Sequence, residues 1–189
     1  SNSVINQSPN SRSGRRRRRK GNSSSVNQSN GVFRVSRREL LTDVKVLKNT
    51  TDVSAAVPLD PRNLPWLKKI AVAFEQVVWH KAHIVYKPAV GTTTNGTVAY
   101  GLDWSFASPT VNRPFCQGLT PFNDHAVWQA PPSLILPSSK LQSRKSFIMD
   151  KKEYPGFFCY SAMTDTAATD RILGEFYLEY DLSLSGTVG

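Results

Sequence analysis

Residues 171–186 read RILGEFYLEYDLSLSG. Ile172, Phe176, Leu178, Tyr180, Leu182 and Leu184 share one parity, while Glu175, Glu179, Asp181 and Ser183 take the other. Successive side chains of a strand point to opposite faces, so this pattern predicts a strand with one dry face and one wet face. Working back along the chain, Val98, Tyr100, Leu102 and Trp104 alternate with Thr97, Gly101 and Asp103. Asn95-Gly96, just before them, is a strong turn signal. Val77 to Val90 is rich in β-branched and aromatic residues but alternates poorly, which predicts a strand covered in part on both faces. Weaker strand patterns run over Glu39 to Leu47, Arg144 to Asp150 and Phe157 to Met163. Proline-containing connections such as SPTVNRPF and APPSLILPSS separate them. Several short strands between such turns predict an all-β sandwich or barrel.

One helix interrupts the strands, because Leu67, Ile70, Ala71 and Phe74 recur at i, i+3, i+4 and i+7, with Asn63 as N-cap and Pro65 in the first turn. A second helical turn is expected near Pro121, including Asp124 to Gln129. Residues 1–31 differ in kind. They are almost entirely Ser, Asn, Gln, Gly, Arg and Lys, and only Val4, Ile5 and Val26 are sizeable apolar groups. Such a segment cannot bury enough surface to offset the entropy of ordering it, which predicts a disordered arm over 1–31 and a folded domain over 32–189. Of 24 basic residues, seven (Arg12, Arg15, Arg16, Arg17, Arg18, Arg19 and Lys20) lie in this arm; the other 17 nearly balance the 14 acids, none of which precedes Glu39. An excess of charge confined to one short segment points to a polyanionic partner. No apolar run reaches the length of a membrane span and no signal-peptide pattern opens the chain, so a soluble protein made in the cytosol, with no membrane partner, is expected. Cys116 and Cys159 match no metal-ligand spacing and are expected as reduced, packed side chains.

Residues 57–105 read VPLDPRNLPWLKKIAVAFEQVVWHKAHIVYKPAVGTTTNGTVAYGLDWS. The stretch resembles the shell domain of tombusvirus-type plant RNA virus coat proteins: a turn leads to a PWL helix, then to a strand ending in Y-x-P with TTT-x-G after it, then to a strand closing on an Asp. LGEFYLEYDLSLSG is similar to the family's final shell strand, and VSRREL near residue 35 looks like the approach to its first. The resemblance stops at that last strand and does not extend to a protruding domain. In this respect the chain looks more like necroviruses, sobemoviruses or ourmiavirus-like proteins. It implies an eight-stranded jelly roll, two antiparallel sheets with Greek-key connections, one or two short helices and a disordered N-terminal arm. It also implies a capsid protein that self-assembles from many copies into an icosahedral or related shell, in the virion and, during assembly, in the host cytoplasm.

The arm's chemistry suits RNA. Guanidinium groups make paired hydrogen bonds to phosphate oxygens and stay protonated at neutral pH. With no aromatic residue or rigid element, the arm has no means of reading base edges. A nuclear localisation signal and a merely solubilising tail are the other readings of an arginine block, and nuclear entry is compatible with RNA packaging. The resemblance also raises calcium, which family shells often hold between subunits. Asp103 stands where the family carries an Asp, but Trp104, Ser105 and Phe106 follow it in place of a companion carboxylate, leaving Asp124 as the candidate partner ligand. His80 and His83, three apart on one strand, are expected on opposite faces and so unable to share a metal. No nucleophile elbow or phosphate loop occurs, and GTTTNG reads as a turn, so no enzymatic activity is expected. Trp66, Trp79, Trp104 and Trp128 are expected in the core or at subunit contacts. A non-capsid single-stranded RNA-binding β-barrel, acting in silencing suppression or movement, is the alternative function.

Overall fold

In a computed structural model, residues 24–187 are described. The strands among them are β1 (Ser25–Ser29), β2 (Val32–Val46), β3 (Asp52–Pro58), β4 (Phe74–Pro88), β5 (Gly96–Asp103), β6 (Phe122–Ala126), β7 (Leu134–Ile135), β8 (Phe147–Ile148), β9 (Phe157–Thr164) and β10 (Arg171–Thr187). The short helices are α1 (Lys68–Ala71), α2 (Arg113–Gln117) and α3 (Ser138–Leu141). One sheet runs β1-β2-β10-β4-β7, with β8 also on β4; the other runs β3-β9-β5-β6, and every pairing is antiparallel. β10 thus lies between β2 and β4, and β9 lies between β3 and β5. Strands from the two ends of the chain interleave in both sheets, which is the jelly-roll arrangement.

The two inner faces meet over an aromatic centre. Phe176 packs edge-on against Tyr100 and Phe158, with ring centroids 4.7 Å apart in both pairs. Trp79 is fully buried and meets Tyr180 edge-on. The Tyr86 hydroxyl donates to the Val127 carbonyl at 2.6 Å and so ties β4 of one sheet to the end of β6 in the other. At one end Leu64, Leu67 and Ala71, all without exposed surface, seat the segment that carries α1.

Departures from strict alternation are bulges. On β10 the residues from Phe176 to Leu184 follow the expected parity, but Ile172 is exposed and Leu173 takes the interior, because the register on β2 shifts between Ile172 and Gly174. On β4, Val77 and Trp79 point inward, then Ala82, Ile84 and Tyr86 do; the phase changes opposite a register shift between Asp181 and Leu182. The weak alternation of Val77 to Val90 therefore records a bulge. It also overturns the expected placement of the histidines, since His80 and His83 both lie on the outer face of the sheet, half-buried. On β5 the second face is not wet: Ala99 and Gly101 are buried, because α2 covers that side and Cys116 packs with Ala99, Phe157 and Cys159.

Four other expectations are corrected. The helix at Leu67 is a single turn with Leu67 as N-cap; Asp60, not Asn63, caps the 3-10 turn Pro61–Asn63, and Phe74 opens β4. Asp124 to Gln129 holds no helix, since β6 occupies Phe122–Ala126; the helix is α2, upstream, with the Asn112 side chain accepting from the Phe115 N–H at 2.9 Å. Arg144 to Asp150 forms only the two-residue β8 and a 3-10 turn. Ser25–Ser29, within the segment expected to be disordered, pairs with β2 through Asn30-Gly31, whose positive φ angles of 52° and 75° make a two-residue hairpin turn of the primed kind.

Candidate nucleic-acid and metal sites

The candidate RNA-binding residues Arg12, Arg15 to Arg19 and Lys20 lie outside the described residues. The pairing of Ser25 with Ser36 fixes where the chain leads from them: it joins the sheet beside Arg37.

The two candidate metal ligands are both engaged within the subunit. Asp103, at the end of β5, accepts from the Ser105 hydroxyl at 2.7 Å and the Ser105 N–H at 3.3 Å, so it closes a local turn. Asp124, on β6, takes a two-pronged bond from Arg113 at 2.7 and 2.8 Å and a third from Gln117 at 3.0 Å, which anchors α2 to the sheet. Asp124 pairs with Ala99, four residues before Asp103, so the two carboxylates sit about 13 Å apart along the strand direction at roughly 3.3 Å per residue. One subunit does not bring them together. No cluster of three or more His, Cys, Asp or Glu occurs among the described residues.

The histidines are built into the sheets. His80 Nε2 lies 2.7 Å from the Ser183 hydroxyl, and His125 spans Tyr100 Oη at 3.0 Å and the Ala126 carbonyl at 2.7 Å. Burial lowers the pKa of all three. Cys116 and Cys159 are free and buried, and burial pushes their thiols up to about 11 and about 12, far from a reactive thiolate. Trp79 is core; Trp66 and Trp104 are half-buried, and Trp128 is exposed. The Trp104 indole donates to the Thr120 carbonyl at 2.7 Å.

Two arrangements were not foreseen from sequence. Glu39, an acid at an inward position of β2, accepts from the Trp66 and Leu67 N–H groups at 2.5 and 3.3 Å and from the Tyr180 hydroxyl at 2.5 Å. Its signal was an acid breaking the apolar parity of VSRRELL. Arg37, two residues earlier on the same face, lays its guanidinium 4.3 Å from the centre of the Trp66 ring. Tandem arginines carry no such sign.

A jelly roll of a six-stranded and a four-stranded sheet, bonded through ordinary caps and ion pairs, defines a shell-type structural domain. The chain belongs to the viral coat protein (S domain) family, whose match spans residues 5–156. It is 28% identical over 182 residues to the capsid protein of Cucumber necrosis virus, covering 87% of this chain and 46% of that protein; the chain thus spans about half the length of this relative. Among solved structures, that of Tobacco necrosis virus superposes with a TM-score of 0.73 at 15% identity, covering 88% of each chain. The mud crab tombus-like virus structure superposes with a TM-score of 0.69 at 16% identity, covering 88% of this chain and 94% of that one.

Proposed function

We propose that the chain assembles with many copies of itself into a closed shell in the virion and condenses single-stranded RNA on its arginine-rich arm. The observation that carries assembly is the coat-family match lying on a jelly roll in which both sheets are complete. RNA condensation rests on the seven cations of residues 12–20, which no acid offsets before Glu39. If all seven meet phosphates, log K for single-stranded RNA falls with log[salt] at a slope of about −5, at roughly −0.7 per contact. Assembly takes place in the host cytoplasm, and the same block gives access to the nucleus. Calcium bridging through Asp103 and Asp124 requires a second subunit to supply the missing ligand, with the Arg113 and Ser105 bonds given up.

The test uses the full chain and a deletion of residues 1–20, which leaves β1 in place. The full chain is expected as particles of MDa mass by negative-stain microscopy and size-exclusion chromatography. The deletion is expected to keep the folded domain and lose most encapsidated RNA, read as the ratio of absorbance at 260 and 280 nm. Tens-of-kDa species from the full chain would refute assembly. Normal RNA content in the deletion would refute the role of the arm.

A further inference from the structure

Seven arginines lie among the described residues, and five of them meet carboxylates: Arg34 with Asp181, Arg38 with Glu179, Arg62 with Asp60 and Asp150, Arg113 with Asp124, and Arg144 with Glu153. Arg37 does not. Among the described residues no carboxylate oxygen lies within 4.0 Å of its guanidinium, which rests on the Trp66 ring, and its Nε is buried without a partner. The nearest acid in sequence, Glu39, is occupied by three donors. Lys68 and Lys69, exposed on α1, follow Trp66 after the buried Leu67, and the Lys69 N–H bonds the Trp66 carbonyl at 3.2 Å. Among the described residues, three cations without ion pairs and one half-buried indole thus share one end of the domain.

Chain geometry adds a second, independent observation. β1 runs antiparallel to β2 with Ser25 opposite Ser36, so residue 24 stands opposite Arg37. In the sequence, the seven cations of residues 12–20 precede that point.

We propose that Arg37, lying over Trp66, forms with Lys68 and Lys69 a phosphate-binding surface on the folded domain that receives single-stranded RNA where the arm joins it. The inference rests on the reading of the arm as an RNA binder, and extends it from the arm to the domain. A guanidinium held over an indole is restrained before it meets a ligand, so less rotamer freedom is lost when it closes on a phosphate.

The test compares three full-length variants with the parent chain: Arg37→Ala, Lys68→Ala/Lys69→Ala, and Arg15 to Arg19 all changed to Ser. Binding of a fluorescein-labelled oligouridylate is measured by anisotropy from 50 to 500 mM NaCl, and a 4-thiouridine oligomer is photocrosslinked and mapped by mass spectrometry. The lysines are exposed, so their variant folds, and circular dichroism checks Arg37→Ala. Losing Arg37 should flatten the salt slope by about 0.7 and losing the lysine pair by about 1.4. Crosslinks are expected between residues 62 and 72. Unchanged slopes in both surface variants, with crosslinks confined to the arm, would overturn the proposal while leaving the arm reading intact. A slope preserved in the Arg15 to Arg19 variant would instead overturn the arm reading. Loss of particles by the surface variants with unchanged RNA slopes would assign the patch to a contact between copies and overturn the proposal too.

Discussion

Replacing Glu39 with alanine tests how the α1 segment is held to the sheet. The carboxylate serves three donors: the N–H groups of Trp66 and Leu67 and the hydroxyl of Tyr180. Water barely reaches them, since Glu39, Leu67 and Tyr180 are 6%, 0% and 3% exposed. A buried donor left without an acceptor costs about 1–3 kcal/mol. The three share a single acceptor and Trp66 is only half-buried, so their costs do not add in full, and Glu39→Ala should cost roughly 3–5 kcal/mol. Tyr180→Phe removes one donor to a carboxylate that keeps two others, a loss of about 1.5–3 kcal/mol. The double variant should then be less destabilised than the two single losses together by at least about 1 kcal/mol, the coupling expected of groups in direct contact. Urea unfolding of full-length protein, followed by tryptophan fluorescence at concentrations where chromatography shows unassembled subunits, measures all three. A Glu39→Ala cost below about 1 kcal/mol, or strict additivity with Tyr180→Phe, would refute the anchoring role.

Other perturbations have equally definite outcomes. A Cβ on Gly174 would sit 2.4 Å from the Tyr86 hydroxyl, so Gly174→Ala must displace the side chain that ties the two sheets; a loss of about 2–4 kcal/mol in urea unfolding is expected. Gly31→Ala places a Cβ at φ +75° and should cost about 1 kcal/mol locally, seen as faster amide exchange at Ser25–Ser29 without a change in the global midpoint. Burial keeps the folded His125 pKa below the ordinary 6.5, and the Ala126 carbonyl and Asp124 offset this only in part. The unfolded chain therefore takes up the proton first. Stability is full above about pH 6.5 and declines as pH falls from there toward the lower folded value, so the urea midpoint should drop between pH 7.5 and 5.5, and less so in His125→Leu.

Long-range architecture was legible where one face of a strand is wet. From Phe176 to Leu184 polarity alone gives the strand and its inward face, because charged side chains on β10 have only solvent and neighbouring ions to meet. Where a bulge intervenes, as at His80-Lys81, a single extra residue inverts the parity. Its position is set by pairing with β10, more than a hundred residues away, and is invisible in a local window. α1 shows the opposite failure. Leu67, Ile70 and Ala71 carried a genuine helical period, but Phe74 continues it only by coincidence and belongs to β4. Asp124 was legible as a carboxylate with a purpose; that the purpose is to hold Arg113 and Gln117 depends on where α2 lands. The arm's chemistry was readable from composition, whereas Arg37 differs from Arg38 only in which face of β2 it occupies.

The place of β10 also dictates an order of events. β2 and β4 are not neighbours; each finds its main partner in residues 171–187, so the larger sheet has no centre until those residues have left the ribosome. Contacts of such sequence separation are slow to form, because the intervening loop must be closed before any of them stabilises the chain. Until then the polypeptide carries unpaired apolar strands, and chaperone demand should fall abruptly once β10 inserts between its partners.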